Sequence, residues 1–494
     1  MSVIVKTNPE EFESYLEDAS HYRGRAERLL LPESGKEIAE ILAEHSAKKI
    51  PVTVAGGRTG LTGSSVPEGG SILGTDRLNQ IKTIEKDFAI VEPGVTLRAL
   101  DDALKSKKLF YPPDPGEQKA FLGGTVATNA SGPRAFKYGT TRDWIRRLSV
   151  LLPSGEFISV KRGEMKADNR GKLRIPLAGR KELVFLIPQS FTSLQKNSAG
   201  YYAKPGMDLI DLLIGAEGTL GVVTEIEIGL IQAPEQILAL VIFFAEEIHS
   251  WSFVHEARLL SRMSAHIDPP QILEARSLEY FDERALDFMR NAYPHIPKGA
   301  KAALYAEQEF SGNEKTILDE WFRLTRKYKG LASETWVGTS DEQREEFREF
   351  RHALPAMISA WLGEHQQTKI GTDMAVPDGG FRPLVEFEKR ALKEANLHFV
   401  TFGHIGDNHL HLNILPKNEE EHQKGKALYL KFIREAVRLG GTISAEHGIG
   451  KLKKPYLKEM FDEKTIRDMA AVKKAFDPAG VLNRGNLFTD VMMI

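Results

Sequence analysis

Imidazole and carboxylate side chains hold first-row metal ions and move protons near neutral pH, and this sequence gathers both late in the chain. Five of the 14 histidines fall within residues 404–447, and four of them, His404, His409, His411 and His447, stand in two short motifs. The segment Thr401-Phe402-Gly403-His404-Ile405-Gly406-Asp407-Asn408-His409-Leu410-His411-Leu412-Asn413 reads as a β-hairpin with turn residues at its middle. If residues 405–408 form a four-residue loop, His404 pairs across from His409. Alternation then puts His404, His409, His411 and Asn413 on one face, diagonal neighbours about 7 Å apart and within reach of one ion. A loop shorter by one residue would turn His404 to the other face, and each histidine alone also reads as a structural residue. Ser444-Ala445-Glu446-His447-Gly448-Ile449-Gly450 adds a carboxylate beside another imidazole. Such donors suit a divalent ion with coordination positions left for substrate; with no cysteine in the chain, zinc, manganese and iron all stay open.

Phosphate groups call for closely approachable backbone N–H groups instead. The loop Gly56-Gly57-Arg58-Thr59-Gly60-Leu61-Thr62-Gly63-Ser64-Ser65 offers them, as a diphosphate cradle or as a plain turn. It lacks the Gly-x-Gly-x-x-Gly opening of a dinucleotide-binding helix, and no Gly-Lys in the chain precedes Ser or Thr. Conventional nicotinamide and nucleoside-triphosphate enzymes lose ground together. A second small-residue stretch, Leu122-Gly123-Gly124-Thr125-Val126-Ala127-Thr128-Asn129-Ala130-Ser131-Gly132, follows Pro112-Pro113-Asp114-Pro115-Gly116. A third, Gly215-Ala216-Glu217-Gly218-Thr219-Leu220-Gly221, precedes a strand. Three such loops suit an extended ligand lying along backbone.

The elements that must position these residues alternate helix and strand along 494 residues, enough for about three domains. Ser34-Gly35-Lys36-Glu37 reads as a capping box opening a helix that ends near Lys49. Strands follow at 50–54, 89–92, 148–152, 157–160 and 222–228, with a helix over 96–105. From Leu238 the pattern runs strand, long helix (247–263), helix, strand (301–310), helix (313–329), a second α+β domain beyond the Gln232-Ala233-Pro234 turn. The expected domains are 1–232, 233–420 with the hairpin, and a helical segment 421–494. Basic and acidic residues number 66 and 68, so the net charge of −2 offers no field for nucleic acid. The absence of cysteine removes disulfides, iron–sulfur clusters and a cysteinyl-linked cofactor. Met1–Glu10 holds no leader-like apolar core, and the longest apolar run, 237–245, is half a membrane span, so a soluble chain, cytoplasmic or peripheral on the inner membrane, is expected. Residues 161–181 carry eight basic and two acidic side chains, a solvated loop or a docking patch for an acidic partner.

The three glycine loops resemble those of the vanillyl-alcohol oxidase/p-cresol methylhydroxylase flavoproteins, over nearly the whole chain. The resemblance implies an α+β fold: a two-part FAD-binding domain, an α+β substrate (cap) domain, and a C-terminal helical segment returning to the flavin. It implies FAD contacts at Gly57, Arg58, Thr59, Gly60, Leu61, Gly63, Ser64 and Ser65 for the diphosphate, and at Pro112, Gly123, Gly124, Thr128, Asn129, Gly132, Tyr138 and Gly139 along the flavin and its chain. Glu217, Gly221 and Val223 would lie by the adenosine half, with Asn483 returning to the flavin. Arg58 stands where members with covalent flavin often have histidine, so the FAD is expected to dissociate.

The C-terminal motifs resemble the D-2-hydroxyacid dehydrogenase branch, which includes D-lactate dehydrogenases, the glycolate oxidase flavin subunit and D-2-hydroxyglutarate dehydrogenase. That resemblance implies a metal on His404, His411 and Glu446, with His447 as base. Many relatives read Gly-Asp-Gly-Asn where this chain has Gly406-Asp407-Asn408-His409, which leaves His409 an additional member of the cluster. Arg351 matches the branch's substrate arginine. Lys369 is a second candidate cation, displaced from the usual place two residues before Asp373, which is Gly371 here. Asn413 completes the expected catalytic group. The implied reaction is oxidation of a D-2-hydroxy acid to the 2-keto acid, the α-hydrogen passing as hydride to flavin. Electrons would then leave for a separate acceptor: a quinone, a cytochrome, an electron-transfer flavoprotein or an iron–sulfur subunit. The alternative is an alkyl-glycerone-phosphate synthase-like transferase, which uses flavin without net redox.

Overall fold

Ser34 opens the first long helix, Gly35–Lys48, by accepting the N–H of Glu37 at 3.3 Å. The Glu37 carboxylate reaches back one residue further than a capping box requires, to the N–H of Glu33 at 2.7 Å. Ile38, Ile41 and Leu42 on the helix's inner stripe pack on Val52, Leu73, Leu151, Val222 and Leu482. The computed structural model describes residues 3–178, 182–189, 192, 194–264 and 273–489, which divide into two compact units. The first takes the described residues up to Gly132, those of 139–233 and those from Ser444 onward; the second takes 133–138 and those of 234–443.

The first unit contains a four-stranded sheet in the order Ile4–Lys6, Arg28–Leu31, Ser71–Gly74, Val52–Ala55, whose last three strands run parallel. A five-stranded antiparallel sheet runs Ile81–Ile84, Phe88–Val91, Val222–Gly229, Ile145–Leu151, Phe157–Lys161. The last stretch of chain returns to this unit: Leu482 bridges Val52 in parallel, and the N–H of Asn483 reaches the Val52 carbonyl at 2.8 Å. Part of the basic stretch forms a hairpin, Lys172–Ile175 with Leu183–Leu186, where Arg174 pairs with Glu182 at 2.8 Å. Arg180 and Lys181 lie outside the described residues.

The second unit is built on one antiparallel sheet in the order Trp336–Gly338, Gln236–Phe244, Ala302–Phe310, Ala275–Asp282, Phe399–Gly403, His409–Ile414, Ile370–Gly371. Met374–Ala375 also pairs with His409–Ile414. Helices cover both faces, which explains why the strand Gln236–Phe244 reads as a continuous apolar run. Leu238, Leu240, Ile242 and Phe244 enter one core with the helices Glu247–Ser264 and Glu314–Lys327. Ala239, Val241 and Phe243 enter the other with Glu283–Met289 and Asp341–Glu364. The helix Glu419–Arg438 packs on Asp378–Glu394, Phe432 meeting Phe387 edge-on, so the second unit runs on to Ile443 where the sequence suggests a break at 420. Among the described residues, no helix is long and apolar enough to cross a membrane.

Candidate active site

The three small-residue loops converge in the first unit on a cavity of about 540 Å³, a size usual for cofactor sites. Gly57, Arg58, Thr59, Gly60, Leu61, Ser64, Ser65, Gly123, Gly124, Thr128, Glu217, Gly221, Val223 and Asn483 all line it. Arg58 takes a left-handed backbone (φ 58°), stacks 3.9 Å above the Tyr15 ring and lies 3.5 Å from Asp76, which fixes its guanidinium beside the loop. A Cβ on Gly124 would meet nothing within 4 Å, so the wall is bare backbone at that point. These features fit an extended dinucleotide such as FAD.

The other expected FAD contacts are not among the lining residues. The Gly63 carbonyl accepts from Lys451, and Pro112 is buried. Asn129 ends the helix Leu122–Thr128 and accepts the Arg142 N–H at 2.9 Å. Gly132 (φ 118°) is forced by the Asp114 carbonyl, which a Cβ would meet at 1.8 Å, and Gly139 faces the Asp143 carboxylate. Tyr138 belongs to the second unit, where its hydroxyl is given to Glu309. Phe121, Ser131 and Gly218 line the cavity although sequence reasoning passed over them; their one signal is adjacency to the glycines that were singled out.

Glu446 and His447 stand on the wall of the same cavity. The Glu446 carboxylate is held by the fully buried Lys196 at 3.2 Å and by the Ser131 hydroxyl at 3.0 Å. The His447 carbonyl accepts from the Thr62 hydroxyl at 3.4 Å. Behind them, the Glu217 carboxylate accepts the N–H groups of Ile449 and Gly450, each at 2.7 Å. Burial lifts Glu217 to about 7, the two N–H bonds offsetting part of that rise. Asn483 accepts the Val54 N–H and donates to the Glu217 carbonyl, both at 2.9 Å, tying the returning chain to both loops.

In the second unit the hairpin keeps the register that brings its histidines together. Phe402 pairs with His411 and Val400 with Asn413, and the His409 N–H reaches the His404 carbonyl at 3.2 Å across residues 405–408. Ring centroids lie 5.3 Å apart for His404–His409, 5.3 Å for His404–His411 and 4.5 Å for His409–His411. One ring nitrogen of each lies within 4.8 Å of the other two. His404 Nδ1 is 2.6 Å from the Glu279 carboxylate, which also accepts Arg351 Nε at 3.1 Å. His411 Nδ1 is 3.3 Å from the Thr372 carbonyl, and His409 Nε2 is 3.1 Å from Asp373. Three imidazoles with ring nitrogens this close together form a donor set that fits a divalent ion. Arg351 sits on the helix Asp341–Glu364, mostly buried, and its Nη1 is 2.9 Å from His352. Asn413, opposite Gly371, donates to the His411 carbonyl, while Lys369 is exposed just before the strand Ile370–Gly371.

Glu279, the carboxylate joining His404 to Arg351, was missed in the sequence. Its strand, Ala275–Asp282, is buried at every position yet carries Arg276, Ser277, Glu279 and Asp282, so it shows neither alternation nor a clean apolar run.

Comparison with known proteins agrees with this geometry. Residues 26–161 match the FAD binding domain family, and residues 260–487 match the family of FAD linked oxidases, C-terminal domain. The chain is 31% identical to a D-lactate dehydrogenase of Anaerostipes hadrus, covering 98% of this chain and 94% of that protein. It is equally identical to the glycolate oxidase subunit GlcD of Bacillus subtilis (strain 168), covering 98% and 96%. Among solved structures, substrate-bound p-cresol methylhydroxylase shares the fold with a TM-score of 0.69 at 15% identity, covering 99% of this chain and 94% of that one. Glycine loops around one cavity and full-length relatives of this kind lead to one assignment: the chain has the fold of p-cresol methylhydroxylase and belongs to the FAD-linked oxidase family, in its D-2-hydroxyacid dehydrogenase branch.

Proposed function

We propose that the protein oxidises a D-2-hydroxy acid of the D-lactate, D-2-hydroxyglutarate or glycolate class to its 2-keto acid and passes the electrons to a separate acceptor. The observation that carries this reading is the placing of Glu446 and His447 on the wall of the cavity lined by the glycine loops. Bound there without a covalent link, FAD supplies a hydride acceptor, and a divalent ion held by His404, His411 and Glu446 supplies a Lewis acid for the substrate hydroxyl. Arg351 binds the substrate carboxylate, because a guanidinium gives paired, directional hydrogen bonds and its Nε is already fixed on Glu279. His447 takes the hydroxyl proton as the α-hydrogen leaves. Asn413 supports the His411 end of the site, and Lys369 is a second cation for a longer acid. The acceptor is a quinone, a cytochrome, an electron-transfer flavoprotein or an iron–sulfur subunit.

An anaerobic screen of D- and L-2-hydroxy acids, read by flavin absorbance with and without chelator, tests the redox role, the chirality and the ion together. Bleaching by D acids alone, slowed by chelator, is expected. No bleaching by any acid, as a transferase without net redox would show, or bleaching by L acids alone, would overturn the reading.

A further inference from the structure

We propose that His409 is a third imidazole ligand of the divalent ion, oriented by Asp373, and that the site therefore prefers zinc-like ions to manganese. This rests on the metal part of the reading above and is independent of which hydroxy acid is oxidised. His409 and Asp373 are both wholly buried, and His409 Nε2 lies 3.1 Å from the Asp373 carboxylate. A buried His–Asp pair by itself is an ordinary structural device. Three rings converging in one place are not, since adjacent buried imidazoles gain little from one another unless something accepts their lone pairs.

Each ring of the cluster has a different acceptor beside one nitrogen: Glu279 hydrogen-bonds His404, the Thr372 carbonyl hydrogen-bonds His411, and the Asp373 carboxylate lies 3.1 Å from His409. This is the arrangement in which partners behind a histidine fix its tautomer and raise its basicity toward a metal. For His409 the Asp373 carboxylate stands 3.1 Å from Nε2, and Nδ1 is the nitrogen assigned to the ion. Nitrogens about 2.1 Å from a tetrahedral ion stand about 3.4 Å apart, so separations of at most 4.8 Å close with side-chain adjustments on the order of 1 Å. An ion with three imidazoles is better matched by zinc, cobalt or nickel than by manganese, which favours oxygen donors.

The test uses the full-length, FAD-loaded protein stripped of metal and titrated with Zn²⁺ or Mn²⁺ against a chromophoric chelator. His409→Gln keeps an amide donor toward Asp373 and removes the imidazole lone pair; Zn²⁺ affinity should fall roughly tenfold or more while Mn²⁺ affinity changes much less. Asp373→Asn should give a smaller loss in the same direction. Pulsed electron spin resonance of the Cu²⁺-loaded wild type counts coordinated imidazoles without any substitution, and three are expected. Two imidazoles, equal Zn²⁺ affinity in wild type and variants, or no ion bound would each overturn the assignment. Flavin bleaching is read in the same samples: three imidazoles on the ion with no bleaching by any hydroxy acid would sink the proposed reaction and leave this ligand set standing.

Discussion

His447 is held through its backbone as well as at its ring, whose Nε2 lies 3.6 Å from the Glu446 carboxylate. Its carbonyl is held by Thr62, and the two residues after Gly448 hang from the Glu217 carboxylate. Gly448 permits the turn with φ 81°, and a Cβ there would stand 3.0 Å from Glu217. Backbone anchoring means the imidazole can be removed without losing the loop. His447→Ala should accordingly retain FAD at wild-type stoichiometry, yet slow anaerobic flavin reduction by a D-2-hydroxy acid by about 10²–10⁴-fold, the usual worth of a general base. Stopped-flow absorbance with a parallel FAD count checks this, and reduction at the normal rate would remove the residue from the chemistry. Arg351 follows the same logic: Glu279 fixes one side of its guanidinium, so the direction of the remaining donors is set by the fold.

At the scale of elements, the cofactor cavity depends on short pieces whose side chains have been stripped away. The helix Leu122–Thr128 is one: Gly123 packs against Pro93, where a Cβ would clash at 2.6 Å, while Gly124 faces open space on the cavity wall. Gly124→Val should therefore fold with little loss of stability and bind FAD more weakly by tenfold or more, because its new methyls occupy ligand space. Thermal unfolding of the apoprotein and FAD titration check the two halves; unchanged FAD affinity would place the cofactor elsewhere. Elements of this kind were legible in the sequence. Leu97–Lys105 and Val222–Gly229 show their periods plainly, and the hairpin's four-residue turn could be counted. Ala275–Asp282 was not legible, because its charges are neutralised by residues distant in sequence: Arg276 by Glu307 and Glu309, Glu279 by Arg351 and His404. Local pattern cannot register such pairings. Nor could it show that Tyr138 sits in the second unit one residue before Gly139 in the first.

Across the whole molecule, each unit buries carboxylates at a cost that depends on pH, Glu217 and Glu388 foremost. Glu217 in the first is lifted by burial to about 7. Glu388 in the second, on the helix Asp378–Glu394, is lifted by burial to about 8 despite the positive charge of Lys389. A carboxyl whose folded value is raised binds its proton more tightly folded than unfolded. Its stabilising contribution is complete below the ordinary value of 4.5 and is lost as pH climbs through the folded value. For Glu388 that shift corresponds to roughly 5 kcal/mol, and for Glu217 to roughly 3 kcal/mol, as orders of magnitude. Above pH 8 the trend is opposed by Lys451, which burial holds near 8 and which folds more readily once neutral. Unfolding by urea should accordingly become easier from about pH 5 to pH 8. Glu388→Gln keeps the shape and never ionises, so it should gain several kcal/mol at pH 8, gain little at pH 5, and flatten the pH dependence. A variant as pH-sensitive as the wild type would mean that water or a cation reaches Glu388, and that the helix is less tightly docked on its neighbours than its packing indicates.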